Sequence, residues 1–309
     1  MHTILGAGGA VANALTRELV SHNETIRLVS RKPIVNTANN ITWQKADLLN
    51  YAEVLQATKG STVIYITAGL VYDKNIWQVQ WPVVMQNAIN AARETGARLI
   101  FFDNVYMYGL VDGPMTETTP YNPCSAKGEV RAKIATQLMD EAKAGNIKAC
   151  IARAADFYGT ENGNSSFDMM VLTNYAKGAT AQWLGKLDKL HNFSYIPDMG
   201  KGGYRLGQNP ESDNQIWHMP TAAPLTGKQF IDIAAKIYNV EPKAFAINKF
   251  FLWTYGLFNK VVGGAVEMYY QYNHDYIFDS TKFEMAFKVK ATNYEDGIKL
   301  MSETLYKKK

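Results

Sequence analysis

The sequence predicts an α/β fold built on a doubly wound parallel sheet. Strand and helix patterns alternate along the first half of the 309-residue chain, as expected for parallel strands joined by right-handed helical crossovers. A glycine-rich turn joins the first apolar strand to the first helix, and a second short apolar strand follows that helix. This order of elements is typical of the Rossmann fold.

The remaining elements follow from apolar runs and from apolar residues at helical spacing. After the first strand and the helix Ala10–Ser21, the predicted strands are Thr25–Ser30, Ile41–Lys45, Ser61–Gly69, Ala97–Asn104 and Lys148–Ala154. The predicted helices between them are Tyr51–Thr58, Lys74–Thr95 and Ser125–Ala144. Ligands of such a sheet bind beyond the carboxyl ends of its strands, so the loops at those ends are the candidate site.

The glycine turn predicts a diphosphate site. Gly6, Gly9 and Ala12 have the spacing G-x-x-G-x-x-A. Glycine lets the backbone approach phosphate oxygens, and the helix start offers N–H groups and the positive end of its dipole. The predicted contacts to a dinucleotide are Gly6, Gly8, Gly9, Ala10 and Val11; the alternative is a turn that needs glycine only for steric reasons.

The end of the second strand favours NADP(H) over NAD(H). An acidic residue at this point binds the ribose 2′-hydroxyl of NAD, whereas a nearby arginine accommodates the 2′-phosphate of NADP. This chain has Ser30, Arg31 and Lys32 there, and Glu24 precedes the strand at the opposite edge. A hydroxyl, a guanidinium and an ammonium suit a phosphomonoester. The alternatives are a solvated basic turn and binding of NAD(H).

The other strand ends complete the predicted crevice. They carry Asp47 and Leu48, then Ala68, Gly69 and Leu70, then Asp103 and Asn104, and finally Ala155 and Asp156. We therefore assign residues 1–158 to an NAD(P)-binding core. Residues 159–309 are expected to form mainly a substrate-binding lobe, with some strands and helices returning to the core.

Composition limits the partners. Three of the four net positive charges come from the terminal lysines, residues 307–309. No nucleic-acid-binding surface is therefore expected. Two cysteines and no signal peptide suit a cytoplasmic protein, and the dispersed histidines predict no metal site. The apolar stretch Lys249–Tyr272 is interrupted by Lys260 and Glu267 and is too broken to span a bilayer. We expect it to form core or pocket lining, the alternative being a membrane or partner surface.

Several motifs resemble the extended short-chain dehydrogenase/reductases of the NAD-dependent epimerase/dehydratase type. They are GAGGAVA at the start, ADLLN from Ala46, FFDNVYMYG from Phe101, RAADFYG from Arg153 and FSYIPD from Phe193. The resemblance covers nearly the whole chain. It implies that Asp47 contacts the adenine, that Ala68 and Gly69 lie near the ribose and diphosphate, and that a homodimer forms through the helices Lys74–Thr95 and Ser125–Ala144.

The catalytic motif of that family is altered here. Members use Tyr-x-x-x-Lys, in which the tyrosine moves a proton and the lysine holds the nicotinamide ribose. Lys127 matches the lysine, but the tyrosine position is Pro123. Asn104, or Asp103 if the alignment shifts by one, replaces the serine that binds the substrate oxygen. The family's Arg-x-x-Asn asparagine is Asp156.

The predicted catalytic residues are therefore Lys127, Asn104, Asp156 and Tyr121. Lys127 would hold the ribose and Asn104 the substrate oxygen. Asp156, whose pKa an apolar crevice would raise, or Tyr121, reaching back toward Lys127, would be the proton partner. For Asp156 the alternative is a carboxylate that fixes a loop; for Tyr121 and Tyr106 it is ordinary packing.

The sequence is compatible with three alternative functions. The first is an NADP(H)-dependent oxidoreductase acting on a carbonyl or alcohol of a small molecule. The second is a nucleotide-sugar epimerase or dehydratase, which retains an oxidised cofactor. The third is a sensor or scaffold that binds the nucleotide without catalysis, for which Pro123 is the best support.

Overall fold

The computed structural model describes residues 1–35, 38–161 and 165–308, and only the backbone of residues 260 and 261. The strands are β1 His2–Leu5, β2 Ile26–Ser30, β3 Ile41–Lys45, β4 Val63–Ile66, β5 Arg98–Asp103, β6 Pro114–Met115, β7 Ala149–Arg153, β8 Asp156–Tyr158, β9 Ala181–Leu184, β10 Leu190–His191, β11 Phe193–Tyr195, β12 Ile216–His218, β13 Leu225–Thr226, β14 Ala244–Ile247 and β15 Ile277–Phe278.

Twelve α-helices occur in the described part of the chain. They are α1 Ala10–Ser21, α2 Tyr51–Thr58, α3 Lys74–Thr95, α4 Ala126–Lys143, α5 Thr173–Ala176, α6 Ile196–Gln208, α7 Gly227–Tyr238, α8 Lys249–Gly256, α9 Lys260–Ala265, α10 Tyr270–Asn273, α11 Thr281–Phe287 and α12 Tyr294–Glu303. A 3₁₀ turn, Val266–Met268, joins α9 to the tyrosine-rich segment before β15.

The central sheet has seven strands in the order β12-β7-β5-β4-β1-β2-β3. Every neighbouring pair is parallel, and the order reverses direction after β1, where β4 pairs on the other side from β2. The predicted fold class, a doubly wound parallel sheet, is confirmed. The carboxyl ends of β1, β2, β4, β5 and β7 meet at one edge, so the loops after them form the crevice.

Helices cover both faces of this sheet because its strands are apolar on both sides. One face buries the apolar sides of α2, α3 and α4, with Trp81, Met85 and Ile134 among the fully packed residues. The other face buries α1 and α6. Gly200 permits their close contact, since an added Cβ would lie 2.5 Å from the carbonyl oxygen of Ala14.

The second half of the chain contributes to two hydrophobic cores. The strand β12 and the helix α6 belong to the central sheet and its helical layer. A separate apolar cluster joins α7, α12, β9 and β11 around Phe167, Trp183 and Phe230. Phe193 of this cluster packs against the ring of His191, which in turn contacts Asp156.

The apolar stretch Lys249–Tyr272 divides into two parts. Tyr269 and Tyr272 face inward, as expected for core or pocket lining. The expectation fails for α8 and the turn after it, where Leu252 is buried and Phe250, Trp253 and Phe258 are exposed. None of the described helices is long and apolar enough to cross a membrane.

Candidate active site and coenzyme crevice

The glycine turn has the geometry of a diphosphate cradle. Gly6 has φ +87°, and a Cβ there would lie 2.4 Å from the Cα of Ala68, so the turn passes directly against the end of β4. Gly8 also has a positive φ, +96°. Gly9 is the N-cap of α1 and offers no side-chain oxygen to the first turn, and a Cβ built on it would meet nothing within 4 Å.

These features fit a dinucleotide. The N–H groups of Ala10 and Val11 begin a 12-residue helix whose first turn carries no acidic side chain. The first turn therefore places no carboxylate of its own against the positive end of the helix dipole, and Glu161, which accepts from Asn13, is paired with Arg17. Gly69, across the turn, likewise has open space where a Cβ would project.

The end of β2 presents two cations. Arg31 and Lys32 are exposed, and neither belongs to an ion pair between described residues. The Ser30 hydroxyl donates to the carbonyl oxygen of Lys32 at 2.6 Å and accepts from the Trp43 indole at 3.0 Å. Glu24 lies at the other end of the strand, 3.2 Å from His2.

The loop after β3 is built around Asp47. One carboxylate oxygen of Asp47 accepts from the backbone N–H of Leu49 at 3.1 Å. The backbone N–H of Asp47 donates to the carboxylate of Glu53 at 2.8 Å. Leu48 packs against the core, and its carbonyl oxygen accepts from Asn87 at 2.9 Å. Ala68 and Leu70 also pack partly against this core.

Lys127 lies in the first turn of α4 and is fully buried. Its Nζ is 2.5 Å from Glu267 Oε1, donates to the carbonyl oxygen of Gly264 at 2.7 Å, and lies 4.2 Å from the centre of the Tyr72 ring. The other oxygen of Glu267 accepts from the N–H of Ala126 at 3.0 Å. The segment from α9 to the following 3₁₀ turn thus covers the lysine and neutralises its charge.

Asp103 and Asn104 have different roles at the end of β5. The Asp103 carboxylate is buried between Arg131, whose Nε lies at 2.6 Å, and Arg153, whose Nη2 lies at 3.2 Å. The Asn104 side-chain oxygen accepts from the N–H of Tyr106 at 3.0 Å. Asp103 is therefore part of a buried ionic cluster, and the amide nitrogen of Asn104 is the group that remains for a ligand.

Asp156 stands at the start of β8 and faces the tyrosine-rich segment. Its Oδ2 accepts from the Tyr272 phenol at 2.6 Å and lies 3.1 Å from His191 Nε2. The rings of Tyr272 and His191 are stacked, with centroids 4.8 Å apart. Burial and the Asp156 carboxylate raise the pKa of Tyr272 well above its ordinary value, so this phenol stays protonated near neutral pH.

A second pair of phenols lies beside Lys127. The Tyr72 hydroxyl donates to that of Tyr106 at 3.2 Å. Burial raises the pKa of both groups, with a further contribution to Tyr72 from Tyr106 and to Tyr106 from Asp156. With the charge of Lys127 matched by Glu267, neither phenol acts as a base at neutral pH.

Tyr121 is directed elsewhere. Its hydroxyl accepts from Arg153 at 2.9 Å, and Arg153 also donates to Tyr108 at 2.7 Å. No described hydrogen bond joins Tyr121 to Lys127. A cleft of about 400 Å³ lined by Tyr121, Glu117 and Lys282 contains neither the glycine turn nor Lys127, so it is separate from the crevice.

The structure brings the glycine turn, Ala68, Gly69, Asn104 and Lys127 to the same edge of the sheet. Glu267, Tyr72 and Tyr272 also belong to this crevice and were missed by sequence reasoning. None has a motif spacing to its partner, since Glu267 lies 140 positions from Lys127 and Tyr272 lies 116 from Asp156. Among the described residues no three His, Cys, Asp or Glu side chains group as metal ligands.

Comparison with known proteins agrees with this architecture. The family model described as "NAD dependent epimerase/dehydratase family" matches residues 2–219. A cinnamoyl-CoA reductase of Petunia hybrida is 31% identical in an alignment of length 119 that covers 34% of this chain and 36% of that protein. The match thus spans about a third of the length of this curated relative.

Solved structures resemble the whole chain. A UDP-glucose 4-epimerase of Thermus thermophilus in complex with NAD has a TM-score of 0.79 at 14% identity, with 99% of each chain covered. A dTDP-glucose 4,6-dehydratase of Streptomyces venezuelae with NAD bound has a TM-score of 0.76 at 15% identity, covering 97% of this chain and 94% of that one. At such identities the likeness establishes the fold. The family model, by contrast, matches well over half of the chain, and the chain belongs to the NAD-dependent epimerase/dehydratase family.

Proposed function

We propose that this chain is an NADP(H)-dependent oxidoreductase of the extended or atypical short-chain dehydrogenase/reductase type, acting on a carbonyl or alcohol of a small molecule. The observation that carries the proposal is the uncapped start of α1 behind Gly9, on the same edge of the sheet as the cations Arg31 and Lys32. Together they offer a diphosphate cradle and a partner for a 2′-phosphate.

NADP(H) is the preferred coenzyme and NAD(H) the alternative. Arg31 and Lys32 would pair with the 2′-phosphate, and the Ser30 hydroxyl would exchange its bond to the Lys32 carbonyl for one to the phosphate. Asp47 and Leu48 would contact the adenine. Ala68, Gly69 and Leu70, together with the glycine turn, would enclose the ribose and diphosphate, and Lys127 would hold the nicotinamide ribose.

A reduced nicotinamide supplies a hydride to the substrate carbon, and the chain must then provide a proton for the oxygen. Asn104 would donate its amide N–H to that oxygen, because its own oxygen is engaged by Tyr106. Asp156, in its protonated form and hydrogen-bonded to Tyr272, would donate this proton and regain one from solvent after each turnover. Tyr121 is not retained as the alternative proton partner, because its phenol is held by Arg153 beside a cleft that is separate from this crevice.

The coenzyme assignment is tested by calorimetry with NADPH and NADH. The variant Arg31→Ala should weaken NADPH at least tenfold, one charge-assisted contact being worth about 1.5–3 kcal/mol, and should leave NADH little changed. Lys299→Ala, which removes an exposed cation on α12, is the matched control. Equal losses for the two coenzymes would contradict the 2′-phosphate role.

Turnover is tested by following NADPH oxidation with a panel of aldehydes, ketones and quinones. Lys127→Ala should lower the rate, and an unchanged rate would remove Lys127 from the mechanism. A nucleotide-sugar epimerase or dehydratase would instead be purified with tightly held oxidised coenzyme. Extraction of the folded protein and measurement of released NAD⁺ or NADP⁺ distinguishes these two enzymes.

A non-catalytic nucleotide-binding protein is the remaining candidate, favoured by two observations. Pro123 occupies the position of the family's tyrosine, and Lys127 is engaged by Glu267 and Gly264. Tight coenzyme binding without turnover of any compound in the panel would support this function over the enzyme.

Assembly and location complete the proposal. A homodimer through α3 and α4 would be measured by sedimentation of the purified protein. The two cysteines, Cys124 and Cys150, form no disulfide, which is compatible with the reducing cytoplasm.

A further inference from the structure

A cluster of exposed apolar side chains, most of them aromatic, lies on α8 and the residues around it. The exposed members are Phe245, Phe250, Phe251, Trp253, Tyr255, Leu257 and Phe258. Phe258 is 89% exposed, Phe250 65% and Tyr255 61%, and α8 buries Leu252 against Leu184 and Tyr269. We call these seven residues the aromatic patch.

Four rings of the patch form one contiguous group. The rings of Phe250 and Phe251 lie 6.2 Å apart, those of Phe250 and Trp253 6.3 Å, and those of Phe245 and Phe251 6.1 Å. Scattered apolar residues are normal on a surface, but a contiguous apolar patch of this kind marks an interaction site.

The charged residues of the patch segment are mainly basic. Between residues 241 and 266 the sequence contains three lysines, Lys243, Lys249 and Lys260, and one carboxylate, the exposed Glu241. Lys243 and Lys249 are exposed, and neither forms an ion pair within the described residues. Aromatic rings are favoured at the headgroup level of a bilayer, and nearby lysines are attracted to anionic lipids.

A second copy of the chain fits this surface less well. A two-fold dimer would bring the same patch from each protomer together, so the three lysines of each copy would meet like charges, with Glu241 as the one carboxylate of the segment to pair with. A membrane span is also excluded for α8, because its eight residues are far short of the roughly 20 that a helix needs.

We propose that the aromatic patch docks the protein on the surface of an anionic phospholipid bilayer. The rings of Phe250, Trp253 and Phe258 enter the headgroup region, and Lys243 and Lys249 pair with lipid phosphates. Helix α8, which carries most of the patch, adjoins the coenzyme crevice. Gly256 on α8 contacts Gly263 on α9 backbone to backbone, and α9 leads to Gly264 and Glu267 over Lys127.

The test is flotation of the full chain with two kinds of vesicle. One contains phosphatidylcholine alone, and the other contains equal parts of phosphatidylcholine and phosphatidylglycerol. The protein should float with the anionic vesicles, bind neutral vesicles far more weakly, and dissociate as salt is raised. Lys243→Gln with Lys249→Gln should weaken anionic binding by about fivefold for each lysine.

A second variant tests the rings. Phe250→Ser with Trp253→Ser should lower vesicle binding at least tenfold, and Met285→Ser with Leu300→Ser, which changes two exposed apolar residues on α11 and α12, should not. Thermal melting and coenzyme titration of each variant check that the fold and the crevice are intact. Because coenzyme binding is measured separately, failure of docking and failure of the proposed function are distinguishable.

Three results would overturn the proposal. The first is absence of flotation with anionic vesicles, and the second is equal binding by the Phe250/Trp253 variant and the wild type. The third is self-association that the same variant abolishes, measured by sedimentation without lipid, because the patch would then be an interface between copies of the chain.

Discussion

Glu267→Gln tests whether the cover over Lys127 competes with the coenzyme. Oε1 of Glu267 lies 2.5 Å from Lys127 Nζ; at that separation and an effective dielectric constant of about 20 the Coulomb attraction is about 7 kcal/mol. Desolvation of the buried lysine offsets much of this energy. Glutamine keeps one acceptor but loses the charge, so we expect the free energy of unfolding to fall by about 2–3 kcal/mol.

The same variant should bind NADPH more tightly. If the contact must open before Lys127 reaches the ribose, the apparent affinity is the intrinsic affinity multiplied by the fraction of open molecules. Weakening the closed form by about 2 kcal/mol then raises the affinity by up to about 30-fold. Urea unfolding and isothermal titration measure the two quantities on the same preparation.

Glu295→Gln is the matched control for this experiment. Glu295 pairs with Lys236 at 2.9 Å, with both side chains largely exposed, so its loss should cost less than about 1 kcal/mol and leave coenzyme affinity unchanged. A Glu267→Gln protein that is destabilised but binds NADPH like the wild type would refute the competition, and with it the ribose role of Lys127.

Three further predictions concern the turn, the proton partner and a buried histidine. Gly6→Ala should lower the free energy of unfolding in urea by about 2–4 kcal/mol, because the added Cβ would meet Ala68 and the residue has a positive φ. Gly9→Ala should lower that free energy by about 1 kcal/mol or less, yet it should strongly weaken NADPH binding in calorimetry. Unchanged NADPH binding by Gly9→Ala would argue against the diphosphate cradle. Tyr272→Phe should lower the rate of carbonyl reduction at least tenfold without changing coenzyme affinity, and an unaffected rate would separate this phenol from proton transfer. Burial, with Arg153 nearby, holds the pKa of His218 well below its ordinary value, so its contribution to stability is complete above about pH 6.5 and is lost as the pH falls. Below about pH 6.5 the free energies of unfolding of wild type and His218→Gln, plotted against pH, should diverge by up to about 1.4 kcal/mol per pH unit. Parallel plots would show that this histidine does not titrate on unfolding.

Local sequence rules predicted the elements of the first half closely. The predicted helices Tyr51–Thr58 and Lys74–Thr95 and the strand Ile41–Lys45 have the observed bounds. The reason is local chemistry. Asn50 and Asp73 cap the two helices with their side chains, and Gly96 ends the longer one at φ +69°, so each boundary depends on residues next to it.

The second half could not be predicted in the same way because its partners are distant in sequence. The strand β12 completes the sheet beside β7, but its three residues have no pattern that assigns them to a parallel sheet. The exposed face of α8 was expected to be buried because its composition is that of a core. Composition gives the polarity of a helix, whereas its exposure depends on whether another element covers it.

In the candidate site, too, local sequence predicts which residue is present, whereas distant residues determine its charge environment. The position of Lys127 follows from a local motif, but its chemistry depends on the charge that faces it. A fully buried lysine requires a carboxylate partner, because an unpaired buried charge is strongly destabilising. The sequence contains 28 aspartates and glutamates, and spacing alone does not select Glu267 among them. The fold makes that selection, and it thereby determines whether Lys127 is available to a ligand or is held by the chain itself.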